Sequence, residues 1–325
     1  MRKKLALTLA ICACFPACRR AEPSLFAVGY IQLLESRTND EVRRGFVRAM
    51  EDAGVKDGTN IRLRFENARG DISQVQKIAA DFVAESVDLI VAASTPSLQA
   101  ALMMTQTVPI VFTSVANPYQ TRAGRTPTEH MPNVTGIAST APVRQSLAFI
   151  RDVLPGIRRL GTIWTPSERN SEYYLELTRA AAAEFGLEII DVPVTNPSEV
   201  LLAAQVLVNK KVEAIFPISD NTINSSFEAV GKVADENRIP LFGGFLLATQ
   251  DGACAALGWD FFDMGYKAGQ VVLRIKNGER PAHIPFETMS SVKLHLNLKA
   301  AQRQGVMFAP SILGRADEIL SGDRD

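Results

Sequence analysis

The sequence predicts an α/β fold built from two doubly wound lobes, and this prediction follows from three observations. The chain has 325 residues, which exceeds the roughly 100 to 200 residues of one typical core. Apolar β-type runs alternate with amphipathic helical stretches, which is the pattern of a parallel sheet covered by helices. The alternation resumes after a breaker-rich segment in the first half, so we expect a second sheet of the same kind.

The first lobe is predicted from four strands and the helices between them. Its first helix has the clearest signals, because Thr38 and Glu41 show capping-box spacing and Gly54 provides a stop. The third strand is apolar throughout, as expected for a strand buried on both faces. The predicted strands are 26–31, 60–66, 87–93 and 108–115, and the predicted helices are 39–53, 73–84 and 96–106.

A loop and a second series of elements follow. Residues 116–133 are rich in Pro, Thr, Asn and Gly, so we expect a loop there, and a strand at 133–139 then leads out of the first lobe. In the new series, Gly186 closes the second helix. Its predicted strands are 159–164, 187–194, 212–218 and 239–245, and its predicted helices are 142–154, 171–185, 198–209 and 224–237.

Late segments complete both sheets, because two lobes joined by several crossings each need strands from the end of the chain. No Gly/Ser-rich linker is visible, which indicates closely apposed lobes and a hinge. The late elements are strands 253–258 and 292–297 and helices 260–276 and 298–304. The predicted division gives the N-terminal lobe residues 25–138 and 256–284, and the C-terminal lobe residues 139–255 and 285–325.

The N-terminus has the order of a secretory signal. A basic start precedes the apolar residues 5–17, a stretch too short to span a bilayer as a stable helix. A cysteine that closes such a region after a small residue resembles the lipobox of bacterial lipoproteins, in which the thiol is acylated. We expect Cys18 to be acylated, with 1–18 as signal peptide and 19–24 as tether. The alternatives are acylation of Cys14 and simple cleavage of the signal.

Composition and motifs argue against several functional classes. Lys plus Arg number 35 and Asp plus Glu number 35, without a basic run after the N-terminus, so we expect no nucleic-acid partner. The three histidines show no paired spacing, and the zinc motifs are absent from the sequence, so we expect no metal site. No nucleophile elbow or Walker loop occurs, so we expect no catalytic residues and no cofactor. Cys254 would be the one cysteine of the mature chain with a free thiol, which rules out an intrachain disulfide.

Short stretches in order along the chain resemble those of a known family. That family is the periplasmic-binding-protein-like receptors of ABC importers, and some of the members that this chain resembles look like tryptophan or tyrosine receptors. Jointly, the stretches cover nearly the whole mature chain. They are VGYIQ at 28–32, ASTPSLQA at 93–100, PIVFTSVANP at 109–118, NVTG at 133–136, PSERNS at 166–171, SDNT at 219–222 and ALGWDFF at 256–262.

The resemblance implies the type I periplasmic binding protein fold, in which two Rossmann-like lobes joined by a three-segment hinge close over a ligand. It also implies an exported, lipid-anchored, monomeric receptor in the periplasm or at the cell surface, working with an ABC permease and its ATPase. One departure concerns the ligand, since family members often carry His-Pro where this chain has Ser36-Arg37. A sensor for a membrane signalling partner and a receptor for a sugar or nucleoside are alternatives.

Polar residues just after the apolar runs are the candidate ligand contacts, because a ligand of an open α/β sheet lies outside the carboxyl ends of the strands. Asp220 suits a ligand ammonium group, since a charge-assisted hydrogen bond needs a charged acceptor. Thr95-Pro96 resembles a helix start whose free N–H groups suit a ligand carboxylate. These features predict a zwitterionic amino acid bridged between lobes, and the candidate contacts are Gln32, Ser94, Thr95, Thr113, Ser114, Asn170, Asp220 and Asn221.

The same residue types have structural roles that compete with ligand contact. Ser, Thr, Asn and Asp are common at helix caps and turns. Aromatic residues near the strand ends either stack on an apolar ligand side chain or belong to the core. These aromatic residues are Tyr30, Trp164, Phe245, Trp259 and Phe261.

Overall fold

The computed structural model describes residues 25–321. The predicted signal peptide, Cys18 and the tether at 19–24 lie outside the described residues. The first lobe begins with strands and helices that alternate as the sequence predicts. These elements are β1 (Phe26–Gln32), α1 (Arg37–Asp52), β2 (Ile61–Asn67), α2 (Ile72–Ala84), β3 (Leu89–Ala92), α3 (Thr95–Met104), β4 (Ile110–Val115) and β5 (Val134–Ala138).

The chain then builds most of the second lobe, returns once to the first lobe and ends in the second. The second-lobe elements are α4 (Val143–Val153), β6 (Arg159–Trp164), α5 (Arg169–Phe185), β7 (Glu188–Pro193), α6 (Val200–Asn209), β8 (Ala214–Ile215), α7 (Asn221–Asn224), α8 (Phe227–Asn237), β9 (Phe242–Gly243) and β10 (Ala255–Gly258). The returning elements are α9 (Phe261–Lys276) and β11 (Glu287–Thr288). The last ones are β12 (Lys293–Asn297), α10 (Leu298–Arg303), α11 (Pro310–Leu313) and β13 (Glu318–Leu320).

Each lobe has its own sheet. The first sheet has 6 strands in the order β11-β5-β4-β3-β1-β2, and every pair in it is parallel. In the second lobe, a row β7-β6-β8 and a row β13-β12-β10-β9 meet at an isolated parallel bridge between Ile215 and Leu241. The pairing of β10 with β12 is antiparallel. This architecture confirms the predicted α/β fold of two lobes.

The crossings between the lobes follow β5, β10 and β11, and they move the predicted lobe boundaries. Strand β10 pairs with β9 and β12, so residues 256–258 belong to the second lobe and not to the first. Strand β11 pairs with β5, so the first lobe extends past residue 284. The physical reason is that the chain adds β10 to the sheet of the second lobe before it crosses back to the first lobe. Hydrophobic periodicity identifies a strand but does not reveal which sheet the strand joins.

Two helices of the first lobe, α1 and α9, pack at backbone distance. A Cβ atom on Gly265 would lie 1.8 Å from the carbonyl oxygen of Val42, and one on Gly45 would lie 2.0 Å from that of Phe262. Glycine is therefore required at both positions for this approach. The close packing fixes the start of α1 relative to the crossing that leads into α9.

Local details differ from the sequence prediction where side chains compete for backbone groups. Helix α1 is capped by Ser36, whose Oγ accepts a hydrogen bond from the backbone N–H of Asn39 at 3.2 Å, and not by Thr38. Strands β8 and β9 are shorter than predicted, and the helix predicted at 224–237 begins at Phe227 as α8, with the short helix α7 before it. The short elements β11, β13 and α11 carry too few residues for a periodic signal.

Apolar side chains fill both faces of the first sheet and the core of the second lobe. Phe46, Phe82 and Phe112 are fully buried in the first lobe, and Phe227 and Phe242 are buried in the second. Within residues 25–321, no helix combines the length and apolar character needed to cross a bilayer. Polar residues buried between the two cores mark the region where the lobes meet.

Candidate functional site

A cavity lies between the two lobes, at the ends of strands from both sheets. The empty space between its lining atoms, open solvent at the mouth included, is about 540 Å³. None of the lining residues is Arg, Lys or His. They are Thr38, Asn39, Ser114, Ala116 and Met264 from the first lobe, Ser139 and Ala141 from the first crossing, and Asn170, Tyr174, Ser219, Asp220, Asn221, Asn224, Gly244, Phe245, Trp259 and Phe261 from the second lobe and the second crossing.

The start of α1 forms one wall of the cavity. Thr38 and Asn39, both in the first turn of this helix, line the cavity. The side-chain amide of Asn39 donates to the carbonyl oxygen of Leu34 at 2.9 Å, which fixes its orientation. Because α1 has 16 residues, the positive end of its dipole favours an anionic group in front of this wall.

Asp220 lies on the opposite wall, and its two carboxylate oxygens have different environments. Its Oδ1 accepts a hydrogen bond from the backbone N–H of Ile223 at 2.7 Å, so Asp220 caps α7. Its Oδ2 is buried and makes no hydrogen bond of regular geometry within the described residues, and the hydroxyls of Ser171 and Thr165 lie close enough to the carboxyl to favour its ionised form. Burial, together with the negative charge of Glu168, raises the pKa of the Asp220 carboxyl well above its usual range. An ammonium group beside Oδ2 would relieve this cost, because it favours the ionised carboxylate.

Glu168 stands behind this wall and connects the starts of α5 and α7. It is 2% exposed, and its two carboxylate oxygens together accept five hydrogen bonds. Oε1 accepts from the backbone N–H and the hydroxyl of Thr222 at 3.0 and 2.8 Å. Oε2 accepts from the backbone and side-chain nitrogens of Asn221 at 3.2 and 2.5 Å, and from Asn170 Nδ2 at 3.1 Å.

Ser114 reaches the cavity through an irregularity in β4. The register between β4 and β5 shifts between Phe112 and Val115, and Ser114 adopts a φ of 56°. A left-handed conformation is costly for a residue other than glycine, and such strain is common at functional sites. The shift turns the Ser114 side chain toward α9, where its hydroxyl donates to Met264 Sδ at 3.3 Å.

Aromatic side chains form the apolar part of the cavity wall. Phe245 and Phe261 contact each other with ring centroids 6.3 Å apart. Trp259 donates from Nε1 to the carbonyl oxygen of Thr140 at 3.0 Å, so it is held against the first crossing. The hydroxyl of Tyr174 donates to the carbonyl oxygen of Ser139 at 2.9 Å, which anchors α5 to the same crossing. An apolar or aromatic group has contact surfaces on this side of the cavity.

Half of the sequence-predicted contacts line the cavity and half do not. Ser114, Asn170, Asp220 and Asn221 line it, as do the aromatic residues Phe245, Trp259 and Phe261. The predicted contacts outside the lining are Gln32, Ser94, Thr95 and Thr113, and the aromatic residues outside it are Tyr30 and Trp164.

Gln32 and Ser94 are held by local hydrogen bonds, whereas the hydroxyls of Thr95 and Thr113 are buried without a hydrogen-bond partner within the described residues. Gln32 donates to the carbonyl oxygen of Leu34 at 2.8 Å. Ser94, and not Thr95, caps α3 through the backbone N–H of Ser97 at 3.1 Å, so Thr95 and Pro96 lie inside the helix. The helix whose start faces the cavity is therefore α1, which corrects the expectation for α3.

Several lining residues were missed by sequence reasoning. Thr38 and Asn39 follow a loop after β1, and the signal that points to them is the helix start itself. Tyr174 lies one turn after Asn170 on the same face of α5. Asn224 lies at the end of α7, and its Oδ1 is buried without a partner within residues 25–321. Within the same residues, no cluster of His, Cys, Asp and Glu is arranged to hold a metal ion.

Arg37 joins the lobes outside the cavity. It is the first residue of α1, and its guanidinium donates to the carboxylate of Asp251 and to the side-chain oxygen of Gln250 in the second lobe. The Arg37 side chain is 48% exposed, whereas that of Asp251 is 11% exposed. Ser36 therefore caps α1 and Arg37 bridges the lobes, and neither residue lines the cavity.

Comparisons with known proteins cover nearly all of the described chain. The family model for ABC transporter substrate binding proteins matches residues 27–320. The tyrosine-binding protein of Clostridioides difficile (strain R20291) is 34% identical over 280 residues, which is 85% of this chain and 81% of that protein. An uncharacterized protein of Rickettsia prowazekii (strain Madrid E) is 23% identical over 288 residues, covering 88% of this chain and 87% of that protein.

Solved structures with a similar fold include two with a TM-score of 0.86. One is a conserved domain protein from Vibrio cholerae, 28% identical, matched over 91% of this chain and 100% of that one. The other is an ABC domain in complex with L-Trp from Streptococcus pneumonia, 26% identical with the same coverage of 91% and 100%. The ligand-free, open structure of a substrate binding protein with adhesive properties from Clostridium difficile is 30% identical, with a TM-score of 0.67 over 92% of this chain and 100% of that chain.

Proposed function

This chain belongs to the family of ABC transporter substrate-binding proteins, and on that premise we propose that it captures an α-amino acid between its lobes. The observation that carries the proposal is the polarity of the cavity. One wall presents the buried, unpaired oxygens Asp220 Oδ2 and Asn170 Oδ1. The other wall presents the positive end of α1 at Thr38 and Asn39. A zwitterion matches both walls, because its ammonium and carboxylate groups carry the opposite charges.

The side chain of the proposed ligand is apolar or aromatic. Phe245, Trp259 and Phe261 form the wall that is left once the ammonium and carboxylate are placed. Aromatic rings suit an aromatic partner because edge-to-face and offset contacts add to the burial of apolar area. A relative that is named a tyrosine-binding protein and a similar structure in complex with L-Trp support this ligand class.

The proposed role is solute capture for import rather than catalysis. We propose export through the N-terminal signal, attachment to the membrane through Cys18, and action as a monomer that delivers its ligand to an ABC permease with its ATPase. The cavity supports binding without conversion, since its polar lining residues supply hydrogen-bond donors and acceptors of fixed orientation and no histidine.

A ligand screen tests the proposed function. We expect L-tryptophan and L-tyrosine to raise the melting temperature of the protein in differential scanning fluorimetry, because a ligand that binds only the native state stabilises it by mass action. Isothermal titration calorimetry would then give the affinity. Glucose, adenosine and 3-phenylpropionate, which lacks the ammonium group, serve as controls. Stabilisation by the sugar or the nucleoside, with none by any amino acid, would overturn the proposal.

The Arg37 bridge is expected to stabilise the closed arrangement of the lobes. The TM-score is higher against the L-Trp complex, 0.86, than against the ligand-free, open structure, 0.67, which supports a closed arrangement in this chain. We expect Arg37→Ala to weaken amino acid binding by about two- to fivefold, because an exposed ion pair contributes roughly 1 kcal/mol or less. Raising the salt concentration should lower the affinity of the wild type for the amino acid until it approaches that of the variant.

Calorimetry at two salt concentrations and small-angle scattering measure this effect. Saturation with ligand should lower the radius of gyration of the wild type, because the lobes close. Arg48→Ala is a matched control, since Arg48 lies on the same helix and pairs with Asp52 inside it at 2.8 Å. An Arg37→Ala variant whose affinity equals that of the control at low salt would show that the bridge does not hold the lobes.

A further inference from the structure

Glu168 acts on the cavity without lining it. Both of its carboxylate oxygens bind residues at the starts of α5 and α7, and two of those residues, Asn170 and Asn221, line the cavity. A buried carboxylate that accepts five hydrogen bonds is held in one orientation, because a change of rotamer would leave several buried donors without an acceptor. Its position therefore dictates how its partners are oriented.

The first consequence is the orientation of the Asn170 amide. An asparagine side chain carries donors on its nitrogen and acceptors on its oxygen, whereas an ionised carboxylate only accepts. Asn170 therefore turns Nδ2 toward Glu168 and its oxygen away from it. That oxygen is buried and unpaired within the described residues. Asn170 thus keeps an unpaired acceptor, Oδ1, on the side away from Glu168.

The second consequence is the orientation of Asp220. The first turn of a helix leaves backbone N–H groups without helical partners. In α7, Glu168 accepts two of these N–H groups, from Asn221 and Thr222, and Asp220 Oδ1 accepts the third, from Ile223. With the first turn fixed by Glu168, the Asp220 carboxylate is held by its cap bond, and Oδ2 is its unpaired oxygen.

We propose that Glu168 is a positioning residue, which fixes the Asn170 oxygen and the Asp220 carboxylate so that this wall binds the ligand ammonium group through two acceptors. The inference rests on the proposed function, because the amino acid supplies the ammonium group. An ammonium has three N–H donors, and two of them find fixed acceptors here without any further rearrangement. Preorganised acceptors favour affinity because less ordering accompanies binding.

The substitution Glu168→Gln tests whether the side chain orients its partners through hydrogen bonds or only fills the space between them. Glutamine has nearly the same shape, but its amide nitrogen would face the nitrogens of Asn170 and Asn221, donor against donor. The conflict with Asn170 is relieved if its amide flips, which turns its NH₂ group toward the ligand ammonium. We expect the affinity for L-tryptophan and L-tyrosine, measured by calorimetry, to fall about 30-fold or more, a size reported for hydrogen bonds that involve charged groups.

A second substitution should rescue the first. Asn170→Asp alone places a second carboxylate against Glu168, so we expect weak binding. In the double variant Glu168→Gln/Asn170→Asp, the introduced amide donates to the introduced carboxylate, whose other oxygen again faces the cavity. We expect the double variant to bind more tightly than either single variant but less tightly than the wild type, because the introduced glutamine amide still faces the nitrogens of Asn221. A residue that only stabilises the fold would make the two losses add.

Controls distinguish failure of this proposal from failure of the proposed function. Glu213→Gln is the matched control, because Glu213 also accepts two backbone N–H groups, from Arg158 and Arg159, but does not line the cavity. Thermal melting of every variant reports folding. The Glu168 proposal is overturned if Glu168→Gln binds within threefold of the wild type, or if the double variant binds no more tightly than the single ones.

A ligand-free measurement keeps the test independent of the ligand class. In nuclear magnetic resonance spectra, the Asn170 side-chain amide protons should be protected from exchange in the wild type and exposed to exchange in Glu168→Gln. Equal protection in the two proteins overturns the positioning role whatever the ligand. If the wild type binds neither amino acid while this protection is lost, the proposed function fails and the orientation of Asn170 by Glu168 stands.

Discussion

Replacing Asp220 by asparagine is expected to weaken amino acid binding by about 100-fold or more. The asparagine oxygen keeps the cap bond to the backbone N–H of Ile223, so the start of α7 is preserved. The unpaired Oδ2, however, becomes an NH₂ donor, and the negative charge that faces the ligand ammonium is lost. Loss of one partner from a buried charged pair costs roughly 2 to 5 kcal/mol. Titration calorimetry with L-tryptophan and L-tyrosine measures the change.

The control for this substitution is Asp71→Asn. Asp71 caps α2 in the same way, with Oδ1 accepting from the backbone N–H of Ser73 at 2.7 Å, and it does not line the cavity. Its variant should bind as the wild type does. Asp220→Ala should bind as weakly as Asp220→Asn and should be less stable than Asp220→Asn, because the helix cap is removed. An Asp220→Asn protein with unchanged affinity would refute the assignment of the ammonium site.

Amino acid affinity is expected to fall as the pH is lowered. Burial and the nearby Glu168 raise the pKa of the Asp220 carboxyl in the free protein, and the ligand ammonium favours the ionised form. Binding below the raised pKa therefore releases a proton, and the affinity falls about tenfold per pH unit there. The ionisable residue that faces Asp220 is Glu168, and the cavity lining supplies no Arg, Lys or His.

Calorimetry in buffers of different ionisation enthalpy counts the released protons directly. We expect proton release on binding to the wild type, and none to Asp220→Asn, in which the titrating group is absent. Binding whose affinity stays constant down through the acidic range would contradict the linkage.

The same raised pKa makes the stability of the ligand-free protein depend on pH in the opposite direction to the affinity. Between the ordinary pKa of an aspartate and the raised pKa in the fold, the native state binds more protons than the unfolded state, so stability falls as the pH rises. At neutral pH, ligand-free Asp220→Asn should therefore melt at a higher temperature than the wild type. The charge of Asp220 thus lowers the stability of the free protein and favours ligand binding, a combination that is common for functional residues. A lower melting temperature for this variant would show that the charge of Asp220 does not destabilise the fold.

The fold was largely accessible to sequence reasoning because hydrophobic periodicity reports which face of each element is buried. The run at 87–93 predicted the fully buried strand β3, and Gly186 ends α5 in a left-handed conformation. The boundary errors have one common cause. Strands such as β10 and β11 are short, and the sheet that each one joins is set by pairing with strands far away in sequence.

The residues of the candidate site could be predicted from the sequence only in part. The rule that ligands lie beyond the strand ends led to Ser114, Asn170, Asp220 and Asn221, which line the cavity. The same rule also led to Gln32, Ser94, Thr95 and Thr113, which do not. Local contacts decide between these two outcomes. Ser94 is used as a cap and Gln32 is turned to a nearby carbonyl oxygen, and neither choice is visible in the order of residue types.

The sequence by itself determined the alternation of strands and helices, the two-lobed α/β fold and the acidic residue Asp220 in the segment after β8, because these depend on local pattern. The tertiary structure decided that α1, rather than α3, points its positive end into the cavity. It also brought Glu168, 52 residues before Asp220 in the sequence, into hydrogen bonds with Asn170 and Thr222. The physical reason is that hydrogen-bond direction and burial arise from contacts between distant segments, and these exist only once the chain has folded.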